Sequence, residues 1–263
     1  MPELPEVTAL AADLRERLVG RTVARLDIVF FAALKTFEIP PSSLEGQTVH
    51  EVSRIGKYLD LRIGDVHLVM HLARAGWVRW RAAPPKPSGR PGHGPLAARL
   101  VLDDGSGFDV TEAGTRKSLA IYLVRDPQEI SWVARLGPDP LADSFTEAEF
   151  ERILKRGGRS QIKGLLRDQS VIAGIGNAYS DEILHRAKMS PFKPASMGQD
   201  DASRLYEAMQ VTLREAVARA DGLAASELKA EKKSNLQVHG RTGLPCPDCG
   251  DTVRQVIYSD STM

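Results

Sequence analysis

The periodicity of apolar residues changes once along this chain, around Leu136-Gly137-Pro138-Asp139-Pro140, and that change constrains the fold most. Before it, short apolar or alternating runs are separated by turn residues: Thr22 to Phe30, Gln47 to Ile55, Tyr58 to Ile63, Val66 to His71, Ala97 to Leu102 and Leu119 to Val124. Runs of this length and period read as strands. Asp103-Asp104-Gly105 is a hairpin signal between the later ones. After the change, helical patterns follow at about 160–169, 178–187 and 200–219. Thr146 and Glu149 form a capping box before Phe150, Ile153 and Leu154. One helix precedes the strands. Leu4, Val7, Leu10, Ala11, Leu14 and Leu18 share a face, so residues 3 to 19 read as an amphipathic helix stopped by Gly20.

The expectation is an α+β protein in three parts: an N-terminal antiparallel β-sandwich with its flanking helix (1–135), a helical domain (145–225) and a small C-terminal β-hairpin element (235–263). The proline-rich stretch 138–140 is its linker, and the Pro/Gly-rich stretch from Ala83 to Pro95 a long exposed loop. A length of 263 residues accommodates two modest domains and an appendage. The absence from the sequence of any apolar run near the roughly 20 residues of a membrane span, or of a signal core, leads to the expectation of a soluble cytosolic protein. Net charge is +1, so no overall basicity advertises nucleic acid. Basic residues do cluster locally, in Lys155-Arg156-Gly157-Gly158-Arg159 and in Lys229 with Lys232-Lys233. Such clusters suit a phosphate footprint, or simply a solvated face. Two cysteines, Cys246 and Cys249, exclude a disulfide framework and leave half a metal site, a redox pair or coincidence.

The chain begins Met1-Pro2-Glu3-Leu4-Pro5-Glu6-Val7. Removal of Met1 would expose a secondary amine. An α-amino group titrates at about 8, against about 10.4 for a lysine, so a sizeable fraction is unprotonated at neutral pH. An unprotonated amine attacks carbonyl-like carbons and forms Schiff bases. Glu3 places a carboxylic acid beside it, at what reads as a mobile chain end. The same residues also read as an ordinary helix start, through the fixed φ of proline and the macrodipole.

Three further motifs carry chemistry. In Asp168-Gln169-Ser170-Val171-Ile172-Ala173-Gly174-Ile175-Gly176-Asn177 a glycine-rich turn leads into a new helix, whose first amides are donors suited to a phosphate. Ser53-Arg54-Ile55-Gly56-Lys57-Tyr58-Leu59 sets a glycine and a lysine at a turn between two strands. Cys246-Pro247-Asp248-Cys249-Gly250 is spaced as one knuckle of a zinc site.

Together these motifs closely resemble those of bacterial formamidopyrimidine-DNA glycosylases, of the Fpg/Nei family, over nearly the whole chain. The resemblance implies a bifunctional DNA glycosylase and abasic-site lyase of base excision repair, acting as a monomer on double-stranded DNA that carries a damaged base or abasic site. Pro2 is then the nucleophile, Glu3 its acid partner and Lys57 a catalytic lysine at the lesion-bearing nucleotide. The helical part becomes a helix–two-turn–helix domain, with Asn177 and the amides of Gly174 and Gly176 as phosphate ligands and Lys163 on the preceding helix as a further candidate. The C-terminal part becomes a zinc-finger-like hairpin holding a structural zinc on Cys246 and Cys249; catalysis needs no cofactor.

The chain also departs from the pattern. The second CxxC of the family's hairpin does not occur before Met263, and His239 is the extra ligand nearest in sequence, so weak zinc binding is expected of these 263 residues. Ser259-Asp260-Ser261-Thr262 stands where the family presents a DNA-contacting arginine. Arg74, flanked by Trp77 and Trp80, replaces a methionine that fills the space left by the extruded base, and is itself a candidate for entering that gap. Thr115-Arg116-Lys117 lies where an Arg-Phe pair is expected. Two alternatives stay open: an enzyme mainly for oxidised pyrimidines or abasic sites, and a damage-binding relative with weak or no catalysis.

Overall fold

The computed structural model describes residues 1–83, 94–114, 116–258 and 261–262. The chain divides into two compact units. The first holds residues 1–2, 6–134 and 220–228; the second holds 3–5, 135–219 and 229–263.

In the first unit, helix α1 (Leu4–Leu18) contributes Val7, Leu10, Leu14 and Leu18 to a continuous apolar core. Among the described residues, eight strands form two four-stranded antiparallel sheets. They are β1 (Val23–Ile28), β2 (Val49–Ile55), β3 (Tyr58–Ile63), β4 (Val66–His71), β5 (Gly76–Arg81), β6 (Leu96–Leu102), β7 (Gly107–Glu112) and β8 (Ala120–Val124). The sheet orders are β1-β6-β7-β5 and β2-β3-β4-β8. Both sheets feed the same core, Leu26, Leu100 and Phe108 from one and Val52, Leu61 and Leu68 from the other, which is the pattern of a sandwich. The Asp103-Asp104-Gly105 turn does make a hairpin, but it joins β6 to β7 and not to the expected run Leu119 to Val124.

Strands β5 and β7 were not anticipated. Trp77-Val78-Arg79-Trp80 pairs with 108–111 in regular antiparallel register. Strand β7 carries Asp109 and Glu112, which depress a strand reading. Both are buried and satisfied. Asp109 receives a bidentate bond from Arg99 (2.6 and 3.1 Å), and Glu112 accepts the amides of Ser118 and Leu119. A buried charge is tolerated when it is paired in this way.

The second unit is helical: α2 (Glu147–Gly157), α3 (Ile162–Arg167), α4 (Asn177–Arg186), α5 (Gln199–Ala220) and α6 (Leu228–Asn235), with the ends of α5 and α6 crossing into the first unit's residues. Its core gathers Phe150, Leu166, Ile183, Leu205 and Leu213. Thr146 caps α2 by accepting from the Glu149 amide at 3.3 Å, while the Glu149 carboxylate turns to Arg152. The expected linker is folded in, since Gly137 donates to Gln169 and Pro138 accepts from Ala173.

Helix α6 was missed. Its Lys-Ala-Glu-Lys-Lys-Ser-Asn sequence lacks an apolar stripe, so periodicity gives no signal. The expected C-terminal hairpin around the cysteines is instead a turn closed by a bridge between Pro245 and Thr252, and two-residue strands β9 (Ile257–Tyr258) and β10 (Ser261–Thr262) pair beyond it. The expected loop from 83 to 95 falls largely on residues 84–93, outside the described residues, as do Thr115, Ser259 and Asp260.

Candidate active site

Pro2 and Glu3 are buried, so the chain end that reads as mobile is held. Three backbone amides at the start of α4 converge on the Glu3 carboxylate: Gly176 (2.6 Å) and Tyr179 (3.2 Å) on Oε2, Ala178 (3.0 Å) on Oε1. The Leu4 amide donates to the Gly174 carbonyl at 3.0 Å. Lys232 Nζ stands 3.7 Å from Glu3 Oε1. A helix N-terminus is positive and its first amides lack intrahelical acceptors. Here the protein's own carboxylate fills that place, and the donors around it favour the anion.

This contact explains the glycines and corrects their expected role. A Cβ at Gly176 would fall 2.5 Å from Glu3 Cδ, and one at Gly174 would fall 2.8 Å from Leu4 Cβ. The glycines make room for the N-terminal segment. Their amides are also occupied, Gly176 by Glu3 and Gly174 by the Gln169 side chain at 3.0 Å, so they are not the phosphate donors the motif suggests. Asn177 opens α4 half-buried.

Lys163 is a second correction. It is wholly buried and its Nζ lies 2.5 Å from Asp181 Oδ1, so a phosphate cannot reach it in this arrangement. A helical pattern places a lysine on a face but does not reveal the partner across it. The other oxygen of Asp181 meets His239 Nδ1 at 2.7 Å. The adjacent Glu182 accepts the amides of Gln237, Val238 and His239 at 2.8, 3.0 and 2.9 Å. Helix α4 therefore grips Glu3 at its first turn and the segment after α6 through two carboxylates.

In the first unit, Lys57 sits on the β2–β3 turn, where Arg54 Nη1 donates to the Gly56 carbonyl at 2.9 Å. A lysine on a hairpin tip is ordinarily solvated, but Lys57 is only 6% exposed. Sequence reading passed over its neighbour His71. The β3–β4 register sets His71 opposite Tyr58, with ring centroids 4.8 Å apart. Burial, and then the Lys57 charge, push the His71 imidazole down to about 4, so it is neutral at physiological pH. Burial likewise raises the Tyr58 hydroxyl to about 12. Folding the two strands about the Gly64-Asp65 turn on paper aligns 58 with 71, which is the signal that was available.

Arg74 is exposed on the turn between β4 and β5. The flanking tryptophans do not form a stacking platform for it. Trp77 is buried and donates from Nε1 to the Ala225 carbonyl at 2.8 Å, and the Trp80 ring carries Arg17 at 5.0 Å.

The imidazole beside the cysteines is His185, with Nε2 3.3 Å from Cys246 Sγ; His239, the expected extra ligand, is turned to Asp181. Backbone amides of Cys249 and Asp248, then His185, hold the Cys246 thiol down at about 7. Among the described residues no group of three or more His, Cys, Asp or Glu side chains is arranged to hold a metal. Structural zinc is almost always four-coordinate, so the described donor set does not fit the ion.

Comparison with known proteins agrees with this architecture. Residues 1–121 match the model for the formamidopyrimidine-DNA glycosylase N-terminal domain, and residues 136–227 match the formamidopyrimidine-DNA glycosylase H2TH domain. A formamidopyrimidine-DNA glycosylase of Thermus thermophilus is 37% identical over 275 aligned residues, covering 100% of this chain and 96% of that protein. An uncharacterized formamidopyrimidine-DNA glycosylase-like protein of Mycobacterium tuberculosis is 52% identical over 128 residues, covering 48% of this chain and 79% of that protein. Among solved structures, the MutM (Fpg) protein of Thermus thermophilus superposes with a TM-score of 0.81 at 33% identity. A MutM bound to DNA containing carbocyclic 8-oxo-G superposes with a TM-score of 0.86 at 27% identity; each alignment covers 99% of this chain and 96% of the other. With full-length relatives and both of its domains matched, the chain belongs to the formamidopyrimidine-DNA glycosylase family of DNA-repair glycosylases.

Proposed function

We propose that this protein is a bifunctional DNA glycosylase and abasic-site lyase that works through a Schiff base on the N-terminal proline. The observation that carries the reading is the Glu3 carboxylate, buried and bound by three α4 amides beside the residue that supplies the amine. Its partner is duplex DNA with a damaged base or an abasic site, the kind of DNA found in solved complexes of related proteins.

The reaction has the following balance. After Met1 is removed, the Pro2 ammonium passes a proton to the anionic Glu3, giving a neutral secondary amine and a carboxylic acid. With the damaged nucleotide rotated out of the stack, the amine attacks C1′, the base departs with the electron pair of the glycosidic bond, and the proton that the alkylated nitrogen sheds goes to the departing base. Glu3 returns its proton to the ring oxygen as the sugar opens, leaving an iminium at C1′. That iminium acidifies the C2′ proton, which passes to water as the C3′–O bond breaks and the 3′ phosphate leaves with its electron pair, cutting the strand. Lys57 holds the sugar-phosphate, with neutral His71 beside it, and Asn177 contacts a backbone phosphate. Arg74 on its exposed turn enters the gap in the duplex, a different filler from the methionine of the oxidised-purine enzymes, and this favours a distinct lesion range.

Borohydride trapping on duplexes carrying single lesions tests the reading. The mature protein should give a covalent adduct with an abasic site and with a subset of oxidised bases. A protein that keeps Met1 has an acylated Pro2 nitrogen and should give none. Undiminished trapping in that protein refutes the mechanism.

A further inference from the structure

Lys232 belongs to a basic run that reads as a solvated face or a phosphate footprint, yet its side chain is turned inward and only 14% exposed. Its ammonium lies 4.6 Å over the Tyr179 ring and 3.7 Å from Glu3 Oε1. A lysine seated on an aromatic face and directed at a carboxylate is fixed by two attractions, and both strengthen when water is excluded.

We infer that Lys232 is a positioning residue for Glu3: together with the α4 amides, it holds the carboxylate as an anion in one orientation, ready to take the proton of the N-terminal ammonium. The inference rests on reading Glu3 as the proton carrier of the reaction. It assigns work to a helix that the motifs did not reveal, and to a residue outside the Pro2, Glu3 and Lys57 set.

The surrounding charges are consistent with this. Lys232 lines a polar cleft of about 400 Å³ with Tyr179 and Glu182 of α4, and Glu215 and Arg219 of α5. Each acid there has its own partner. Glu182 accepts three backbone amides, Glu215 takes Arg186 at 2.5 Å and Asp248 stands 3.5 Å from His185 Nε2; outside the lining, Glu231 on α6 itself takes Arg219 at 3.0 Å. Glu3 is the carboxylate at which the Lys232 charge is directed, and an opposite charge within about 4–6 Å favours the ionised form.

The test reads Glu3 directly. The side-chain carboxyl is followed by carbon-13 NMR through a pH titration, its signal assigned by loss in Glu3→Gln. Lys232→Met and Lys232→Arg are compared with wild type, and borohydride trapping on an abasic duplex is run in parallel. Removing the cation leaves the anion less favoured, so the Glu3 midpoint in Lys232→Met should move up by about one pH unit. The pH profile of base release should move with it. Lys232→Arg should restore most of both. Lys232→Gln serves if the methionine variant fails to fold. An unmoved midpoint with trapping intact overturns the inference alone, even if the rate falls. A moved midpoint with no trapping by wild type leaves Lys232 holding Glu3 and overturns the glycosylase-lyase reading.

Discussion

The turn leading into α4 and the cysteine turn after α6 are both announced by a short motif, Gly-Ile-Gly-Asn in one and Cys-Pro-Asp-Cys in the other, but they are built differently. Residues 172–176 are all buried, and the amides of Gly174 and Gly176 each meet an acceptor. Residues 236–256 are all exposed or half-buried, and Asp181 and Glu182 of α4 anchor their start. A motif fixes which groups are close in sequence. Its function depends on what the rest of the chain brings to those groups, and the α4 turn receives Glu3 where a phosphate was expected.

The sharpest way to break this comparison is to disturb the α4 turn without touching Glu3. Glu3→Gln keeps the shape but removes the proton carrier, so base release should fall by about 10²- to 10⁴-fold, the range of general acid–base catalysis. Gly176→Ala puts a methyl group where the Glu3 carboxyl lies, 2.5 Å from Cδ, and should reproduce most of that loss. Cleavage of a preformed abasic site, where no base remains to leave, should suffer less in both. Single-turnover rates on a lesion duplex and on an abasic duplex provide the measurement. A Gly176→Ala protein with normal base release would mean that the carboxylate does not need its amide cradle.

The next largest effect falls on the link between the two regions. Asp181→Ala takes the facing carboxylate away from the buried Lys163 ammonium and releases His239. Breaking one side of a buried pair costs about 3 kcal/mol or more, because the remaining charge loses its compensation. Asp181 is 17% exposed on its side chain, which argues for the lower end. Denaturant unfolding should show this loss, and Lys163→Met in the same background should recover much of it by removing the stranded charge. If the double variant is no more stable than Asp181→Ala, Lys163 is not the charge that matters.

What was legible followed where the chemistry is local. The apolar stripe of α1, the strands 58–63 and 66–71 and the helical half stand in the sequence because backbone geometry imposes periods of two and 3.6 on buried side chains. Pro2, Glu3 and Lys57 were legible as motif residues. The burial of Lys163, the partner of Gly176 and the inward turn of Lys232 were not, because each depends on a residue far away in sequence: Asp181, Glu3, and Glu3 with Tyr179. Strands β5 and β7 were hidden for a related reason. Their charged residues look solvated until Arg99 and the Ser118 and Leu119 amides are placed beside them.

Salt dependence gives a smaller, quantitative test of the glycine turn. Each phosphate contact made by a cation contributes about −0.9 to the slope of log affinity against log salt. Lys163 is occupied by Asp181, so the slope in Lys163→Met should match wild type. Asn177→Ala removes a neutral amide and should lower affinity with little change in slope. Fluorescence anisotropy over a salt series on an abasic-analogue duplex measures both. A slope flatter by about one unit in Lys163→Met would show that DNA draws the lysine out of its ion pair.

The smallest effect is expected in the cysteine turn, and it separates the two regions most cleanly. Cys246 is half-buried with His185 Nε2 at 3.3 Å, Cys249 is exposed, and among the described residues no group of three or more such donors is arranged to hold a metal. Substituting both cysteines with serine should shift the stability of the 263-residue chain by no more than about 0.5 kcal/mol, the usual range for surface positions without a special role. The purified chain should hold zinc well below one equivalent after dialysis against a chelator. A bound structural zinc would reverse both results, because its binding free energy becomes folding free energy. Stoichiometric zinc, with a loss of several kcal/mol on serine substitution, would make the cysteine turn as fully partnered as the α4 turn, with a metal ion in the place that Glu3 occupies there.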